Sequence, residues 1–102
     1  MYCVVLVTAP NQKVAQEIAG ILIRKRLAAC VNIIPSVRSF YMWNGKLCNG
    51  KEALMIIKTR KAIFARLSKE VKAKHPYQVP EIIALPIIKG DKNYLNWLKA
   101  NS

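Results

Sequence analysis

Near the middle of this 102-residue chain stands the stretch Val37-Arg38-Ser39-Phe40-Tyr41-Met42-Trp43-Asn44-Gly45-Lys46. Asn44-Gly45 is the strongest two-residue signal for a β-hairpin, because both central residues of a type I′ turn need a positive φ. The aromatic run before the turn predicts one strand, and Lys46 to Thr59 predicts the returning strand. The polar, glycine-bearing part of the returning strand, Cys48 to Lys51, predicts an irregularity in its pairing.

The segments before the hairpin predict a strand, a helix and a further strand. Tyr2 to Thr8 lacks alternating polar residues and is typical of a strand buried on both faces. Asn11 to Arg26 carries apolar residues at helical spacing and ends in three cations, which a helix C-terminus favours. Leu27 to Ile34 predicts a strand that Pro35 interrupts before the aromatic run continues it. We expect the chain either to bend at Pro35 or to project as a hairpin beyond its own domain.

The segments after the hairpin predict a second helix, a fourth strand and a short last helix. Thr59 is the expected N-cap of the second helix, and Pro76 ends that helix because it forces His75 out of the helical region. Val79 to Ile88 predicts the fourth strand. Asp91 is the expected N-cap of the last helix. The apolar positions that define these two helices are Ile63, Phe64, Leu67, Val71, Tyr94, Leu95, Trp97 and Leu98.

The order β-α-β-β-α-β plus a terminal helix predicts an α+β fold of the ferredoxin-like type, as one domain over residues 1–102. Two helices then cover one face of an antiparallel sheet. The other face should be polar in a monomer, but the first and fourth strands are apolar on both sides. The 13 residues from Val31 to Trp43 would also extend ~43 Å, whereas the radius of gyration of such a domain is about 13 Å. We therefore expect a symmetric homo-oligomer built through the sheet faces and the hairpin.

The composition limits the environment of the protein. Lys and Arg number 17 against 5 Asp and Glu, for a net charge of +12, and 53% of the residues are hydrophobic, which excludes a disordered chain. No stretch approaches the roughly 18 apolar residues of a membrane span and no secretion signal is recognisable, so we expect a cytoplasmic protein without membrane contact. The three cysteines lack CxxC spacing and indicate neither a disulfide framework nor a zinc finger. We expect Cys3 and Cys30 in the core and Cys48 as the accessible thiol.

Two classes of function are disfavoured by the residues present. With five acids, one His, no Gly-rich phosphate loop and no GxSxG, we expect no enzyme. The charge and the order of elements are also typical of an RNA-recognition module, which stacks bases on aromatic residues of its third strand. The strand from Lys46 to Ile57 contains no aromatic residue. A nucleic-acid-binding module is therefore the less favoured alternative.

Six motifs follow one another along the chain: Val7-Thr8-Ala9-Pro10, Arg26-Leu27-Ala28-Ala29-Cys30-Val31-Asn32, Tyr41-Met42-Trp43-Asn44-Gly45-Lys46, Ile57-Lys58-Thr59, His75-Pro76-Tyr77-Gln78-Val79-Pro80-Glu81-Ile82 and Tyr94-Leu95-Asn96-Trp97-Leu98. In this order they resemble CutA, the family of divalent-cation tolerance proteins, and the resemblance covers essentially the whole chain. It implies a cytoplasmic trimer of ferredoxin-like subunits, similar in architecture to the PII signal-transduction proteins. It also implies binding of copper or another divalent cation.

The resemblance implies one metal ligand in this chain. Bacterial members have a copper site suggested by a cysteine just before Thr-Ala-Pro and by two adjacent histidines before Pro-Tyr. Those positions are Val7 and Lys74-His75 here, so His75 is the ligand that carries over. The other interpretation of His75 is a helix-terminating residue whose ring packs or hydrogen-bonds locally.

A second interpretation is a PII-like trimer that binds a small anion or a protein partner and has no metal role. Lys58 and Arg60 stand at the expected start of the second helix, where the macrodipole repels cations unless an anion or a carboxylate is present. A solvated basic face is the alternative for these two cations. Tyr41, Trp43 and Tyr77 are the expected lining of a cleft between subunits, or simply interface packing.

Overall fold

A computed structural model describes residues 1–102 as four strands, three α-helices and one 3₁₀ turn. In chain order the elements are β1 (Tyr2–Ala9), α1 (Gln12–Arg24), β2 (Cys30–Trp43), β3 (Lys46–Arg60), the 3₁₀ turn (Lys61–Ile63), α2 (Phe64–Lys74), β4 (Ile82–Pro86) and α3 (Lys92–Ala100). The strands form one antiparallel sheet in the order β2-β3-β1-β4. The predicted α+β fold with an antiparallel sheet and a terminal helix is confirmed.

One face of the sheet packs against α1 and α2 and forms the hydrophobic core. Alternate residues of β1 and β3, among them Val5, Val7 and Ile57, are fully buried there. They belong to one cluster with Ile18 of α1 and Leu67 of α2. Both helices therefore cover the same face. Since successive strand residues point to opposite sides, the intervening residues of β1 and β3 point away from the helices.

The opposite face of the sheet, the open sheet face, is apolar, and neither α1 nor α2 covers it. Its apolar residues are Val4, Leu6, Ile34, Leu54, Ile56, Ile83 and Leu85. Ile83 is 50% exposed and Leu85 is 46% exposed. A contiguous exposed apolar surface marks an interaction site. The prediction that these strands are apolar on both sides is confirmed.

The hairpin of β2 and β3 turns where Asn44-Gly45 predicts. Asn44 has a φ of 50° and Gly45 a φ of 74°, which are the left-handed values that a type I′ turn needs. The irregularity predicted for Cys48 to Lys51 is wrong, because this segment pairs with β2 without a shift in register. Gly50 keeps an ordinary negative φ, since Gly45 is the only glycine with a positive φ.

A one-residue β-bulge lies at Pro35, the position where the sequence predicts a bend. Ile34 pairs with Leu54, but the next paired residues are Val37 and Glu52, so β2 contains one residue more than β3 at this point. Proline has no amide hydrogen for a ladder and is accepted in sheets at edges and bulges. Pro35 lies in β2, which is an edge strand.

The predicted N-cap of the second helix, Thr59, is wrong. β3 continues through Arg60, and α2 begins at Phe64 after the 3₁₀ turn, without a side-chain cap. Thr59 is fully buried, and its hydroxyl donates to Leu27 O at 2.7 Å. The local sequence predicts that this hydroxyl caps the helix. It bonds instead to a residue 32 positions away in the chain.

The other helix ends agree more closely with the sequence. The side chains of Asn11 and Asp91 accept hydrogen bonds from the first turns of α1 and α3, as N-caps do. α1 ends at Arg24 instead of the predicted Arg26, because Arg26 takes a left-handed φ of 56°. His75 has an extended backbone and ends α2 as predicted. None of the helices is both long and apolar enough to cross a membrane.

The fourth strand is shorter than predicted. β4 spans Ile82–Pro86, whereas the sequence indicated Val79 to Ile88. Pro80 stands before the strand and Pro86 ends it, and proline gives no amide hydrogen to a ladder. The segment from 77 to 81 is therefore an irregular connection and is free to border the hairpin.

The cysteines differ in burial. Cys3 is buried in the core, as predicted. Burial raises the pKa of its thiol above the ordinary value. Cys30 is wrongly predicted as a core residue: it is only partly buried, because it begins an edge strand and its thiol lies near Asn32. Cys48 is also partly buried.

Candidate functional site

A cleft of about 600 Å³ lies between the hairpin and the segment 77–81, and we call it the hairpin cleft. The hairpin contributes Ser39, Phe40, Tyr41, Trp43, Cys48 and Glu52 to its lining. The other lining residues are Thr8, Tyr77, Gln78, Val79 and Glu81. Small-molecule sites in proteins occupy about 300–1,000 Å³. The hairpin cleft therefore has the size of a ligand site.

The bulge at Pro35 decides which side of the hairpin Tyr41 and Trp43 occupy. A one-residue change in register turns every later side chain of a strand to the other face. Without the bulge, every second residue after Ile34 would share its side of the sheet. Tyr41 and Trp43 do not belong to that series. With it, Tyr41 and Trp43 share the side of β3 that carries Glu52. The bulge thus brings two of the predicted site residues into the cleft.

His75 contacts two residues of the cleft and uses both of its ring nitrogens. The residue is 8% exposed. Nε2 donates to Thr8 O at 2.7 Å, and the Tyr77 amide donates to Nδ1 at 3.1 Å. Because a carbonyl only accepts and an amide N–H only donates, these bonds specify the neutral tautomer with its hydrogen on Nε2. The ring therefore fastens the segment 77–81 to β1.

The hydrogen bonds of His75 limit what it offers to a metal. A metal ion would need the lone pair of Nδ1, which now accepts from the Tyr77 amide. No three His, Cys, Asp or Glu side chains of the chain lie together in a group that would hold a metal ion. Copper sites gain affinity and geometry from several converging ligands. One chain therefore provides a single candidate ligand and no multidentate site.

Tyr77 connects the two sides of the hairpin cleft through its phenol. The hydroxyl donates to Glu52 Oε2 at 2.7 Å, and the ring centroid lies 4.6 Å from that of His75. Burial raises the pKa of Tyr77 above its ordinary value, and the hydrogen bond and negative charge of Glu52 raise it further. The phenol is therefore a protonated donor at neutral and mildly alkaline pH.

Lys58 and Arg60 lie outside the hairpin cleft, on the open sheet face. The Lys58 amino group donates to Asn32 Oδ1, and Arg60 Nη2 donates to Ser102 O at 2.9 Å. Arg60 Nε is buried without a hydrogen-bond partner. The structure thus separates the predicted site residues into two places. The three aromatic residues meet in the cleft, and the two cations lie further along β3.

Thr8, Glu52 and Glu81 are cleft residues that the sequence did not predict. They come from three separate segments of the chain, so no spacing in the sequence connects them. The one indication that the sequence contains is its small number of acidic residues. The chain has only five Asp and Glu residues, and two of them line this one cleft.

Comparison with known proteins identifies the family. A family profile described as "CutA1 divalent ion tolerance protein" matches residues 3–101. The chain belongs to the CutA1 family. The divalent-cation tolerance protein CutA of Thermus thermophilus is 50% identical over 99 residues, which are 97% of this chain and 96% of the relative. Human Protein CutA is 50% identical over 93 residues, which are 91% of this chain but 52% of the relative.

Solved structures of CutA1 proteins share the fold. Cut A1 of Thermus thermophilus has a TM-score of 0.98 at 49% identity, with coverage of 100% of this chain and 99% of that one. The CutA of Archaeoglobus fulgidus, described as periplasmic, has a TM-score of 0.97 at 44% identity, with coverage of 99% and 98%. This chain spans about half the length of the rice and human CutA relatives. The resemblance inferred from the motifs is confirmed.

Proposed function

We propose that this protein works as a cytoplasmic homotrimer of ferredoxin-like, PII-like architecture, with a role in tolerance to divalent cations, copper foremost. It binds its ligands and does not convert them. The membership of the CutA1 family supports the role, because the relative that is 50% identical is named a divalent-cation tolerance protein. The open sheet face supports the assembly.

The assembly follows from the apolar surface that one subunit leaves exposed. Leu6, Ile83 and Leu85 belong to the open sheet face, on the side of the sheet opposite to α1 and α2. Three subunits arranged about a threefold axis would bury these faces against each other. The hairpin, whose tip projects from the domain, would then reach a neighbouring subunit. The long dimension of the subunit is 45 Å, against 25 and 23 Å for the other two.

Light scattering after gel filtration tests the assembly. We expect a mass of about 35 kDa, three times the 11.5 kDa of one chain. Leu85→Glu, which places a charge on the open sheet face, should reduce the mass towards that of a monomer. Ile88→Glu is the matched control, because Ile88 is 87% exposed and lies beyond β4. A wild-type mass of about 11.5 kDa at micromolar concentration contradicts the proposal.

The proposed metal contact is His75, through Nδ1. Binding there must displace the amide of Tyr77 from the ring. Cys48 and Glu52 line the neighbouring hairpin cleft, but they do not converge with His75 in one group of ligands. A metal would therefore be bound at the cost of loosening the segment 77–81 from β1.

Titration with Cu²⁺ tests the metal contact. Isothermal calorimetry should show a saturable site, and electron paramagnetic resonance should show nitrogen hyperfine coupling from the imidazole. His75→Gln should remove both signals. Lys74→Gln is the control, because it alters the neighbouring exposed residue and leaves the ring in place. If His75→Gln binds Cu²⁺ like the wild type, His75 is not the ligand.

A second candidate function is a trimer that binds a small anion and has no metal role. One observation favours it: Arg60 Nε is buried without a partner, on the face that also carries Lys58. Titration with inorganic phosphate, followed by the amide chemical shifts of β3, tests this candidate. Arg60→Gln should abolish the response, whereas Arg66→Gln, an exposed change on α2, should retain it. An unchanged spectrum of the wild type excludes an anion site at Arg60.

A further inference from the structure

We propose that the hairpin cleft binds a small organic cation, an alkylammonium or quaternary ammonium group, between its aromatic rings and its two carboxylates. The proposal concerns a ligand other than a metal ion. It does not depend on copper binding at His75.

The charge of the hairpin cleft is opposite to that of the chain. The protein has 17 Lys and Arg residues, and none of them lines the cleft, whereas Glu52 and Glu81 do. Neither carboxylate has a Lys or Arg partner, because the single ion pair of the chain joins Lys25 and Glu70. Two carboxylates therefore face the same space without a cation of the chain to balance them.

The walls of the cleft are aromatic. Phe40, Tyr41, Trp43 and Tyr77 all line it. Phe40 is 65%, Tyr41 49% and Trp43 46% exposed in the single subunit. The face of an aromatic ring attracts a cation that lies within about 6 Å of the ring centroid, and indole is the strongest of these rings. Rings of this kind beside carboxylates are the chemistry that recognises ammonium groups.

The same residues suit an organic cation better than a bare metal ion. A divalent metal needs several ligand atoms within about 2.0–2.6 Å, and no three acidic, thiol or imidazole side chains converge in this chain. An ammonium group is larger and spreads its charge over its carbon substituents. It is held by ring faces, with carboxylate charges further away. A cleft of about 600 Å³ accommodates such a group and part of the molecule that carries it.

Trp43 provides a direct readout of occupancy. The other tryptophan of the chain, Trp97, lies on α3 and outside the cleft. Trp97→Phe therefore leaves Trp43 as the only indole. The assembled Trp97→Phe protein is titrated with tetramethylammonium chloride at constant ionic strength, and Trp43 fluorescence is recorded. We expect a saturable change with tetramethylammonium and none with sodium ion or with tert-butanol, a neutral molecule of similar size.

Charge variants of the same protein identify the residues responsible. Glu81→Gln should weaken tetramethylammonium binding about fivefold, which corresponds to about 1 kcal/mol. Glu17→Gln is the matched control, since it removes the same charge from an exposed position on α1 and should change nothing. Lys46→Gln should strengthen binding, because Lys46 pairs directly opposite Trp43 in the hairpin.

Three results would overturn the proposal. Tetramethylammonium and tert-butanol could produce the same response, or Glu81→Gln and Glu17→Gln could have the same affinity. Trp43 could also fail to respond in the assembled protein, which would mean that subunit contacts fill the cleft. Copper titration of the same variants keeps the two proposals distinct, because Glu81→Gln should leave a copper site at His75 intact.

Discussion

Tyr77→Phe is the smallest change that tests the hairpin cleft. It removes the oxygen that donates to Glu52 Oε2 at 2.7 Å and keeps the ring that packs 4.6 Å from His75. A buried hydrogen bond to a charged group contributes about 1.5–3 kcal/mol. Tyr77 is 36% exposed, and solvent screening lowers that contribution. We expect the variant to lose about 1 kcal/mol of unfolding free energy, a decrease in Tm of about 4–8 °C for a domain of this size.

The pH dependence of this loss separates the hydrogen bond from packing. The pKa of Tyr77 is raised in the folded protein above the ordinary value of 10.0, so the folded state retains the phenolic proton longer than the unfolded state does. The stabilisation is fully present below pH 10 and is lost as the pH rises further. Tyr77→Phe lacks this pH-dependent stabilisation, because it has no phenolic proton. The difference in unfolding free energy between the two proteins should therefore be constant from pH 7 to 9 and should shrink above about pH 10.

Urea unfolding at equal protein concentration, repeated between pH 7 and 11, measures this difference. The two proteins differ only at this oxygen, so the pH-dependent contributions that they share cancel in the comparison. Tyr94→Phe is the control, because Tyr94 is exposed and its phenol donates no hydrogen bond in the structure. Parallel pH curves for the wild type and Tyr77→Phe would refute the reasoning, since the phenol would then contribute nothing specific to the cleft.

Three further predictions concern the fold that supports the cleft. Thr59→Val should lower the free energy of unfolding in urea by about 1–2 kcal/mol, because it leaves the buried Leu27 carbonyl without its 2.7 Å partner. A change below experimental error would mean that this hydrogen bond is dispensable. Deletion of Pro35 should remove the bulge but keep Trp43 on the side of Glu52, because Ile34 and Val37 would then be separated by one residue, as Leu54 and Glu52 are. Trp43 fluorescence should therefore still respond to tetramethylammonium, and a lost response in a protein that circular dichroism reports as folded would contradict the register argument. Gly45→Ala should lower the free energy of unfolding by about 1 kcal/mol in thermal melts, because its φ of 74° strains a side chain, and an unchanged Tm would mean that the turn adapts.

Features that depend on a few neighbouring residues were predictable from the sequence. Asn44-Gly45 predicts the hairpin turn, and Asn11 and Asp91 predict two helix starts, because each acts through its own backbone or the adjacent turn. The open sheet face was predictable as well. Strand residues alternate between faces, so the unbroken apolar run from Cys3 to Val7 in β1 requires a second apolar face.

Features that depend on distant contacts were not predictable in the same way. Threonine is a residue type that often caps helices, but the fold places the Thr59 hydroxyl beside Leu27 O. The hairpin cleft exists because the bulge shifts the register of β2 and because the segment 77–81 returns beside the hairpin. Neither feature of the fold can be predicted from the spacing of Glu52 and Glu81 in the sequence. The aromatic members of the cleft were recognised, whereas its charge was not.

Diffraction from a crystal of the wild-type protein soaked in Cu²⁺, recorded at the copper absorption edge, tests the central claim most directly. The proposed function predicts three subunits about a threefold axis, with Leu6 and Leu85 of the open sheet face buried between them. It also predicts an anomalous peak about 2 Å from His75 Nδ1, with the Tyr77 amide displaced from the ring. A monomer that leaves the open sheet face in solvent, or a copper peak that lies away from His75, would contradict the account.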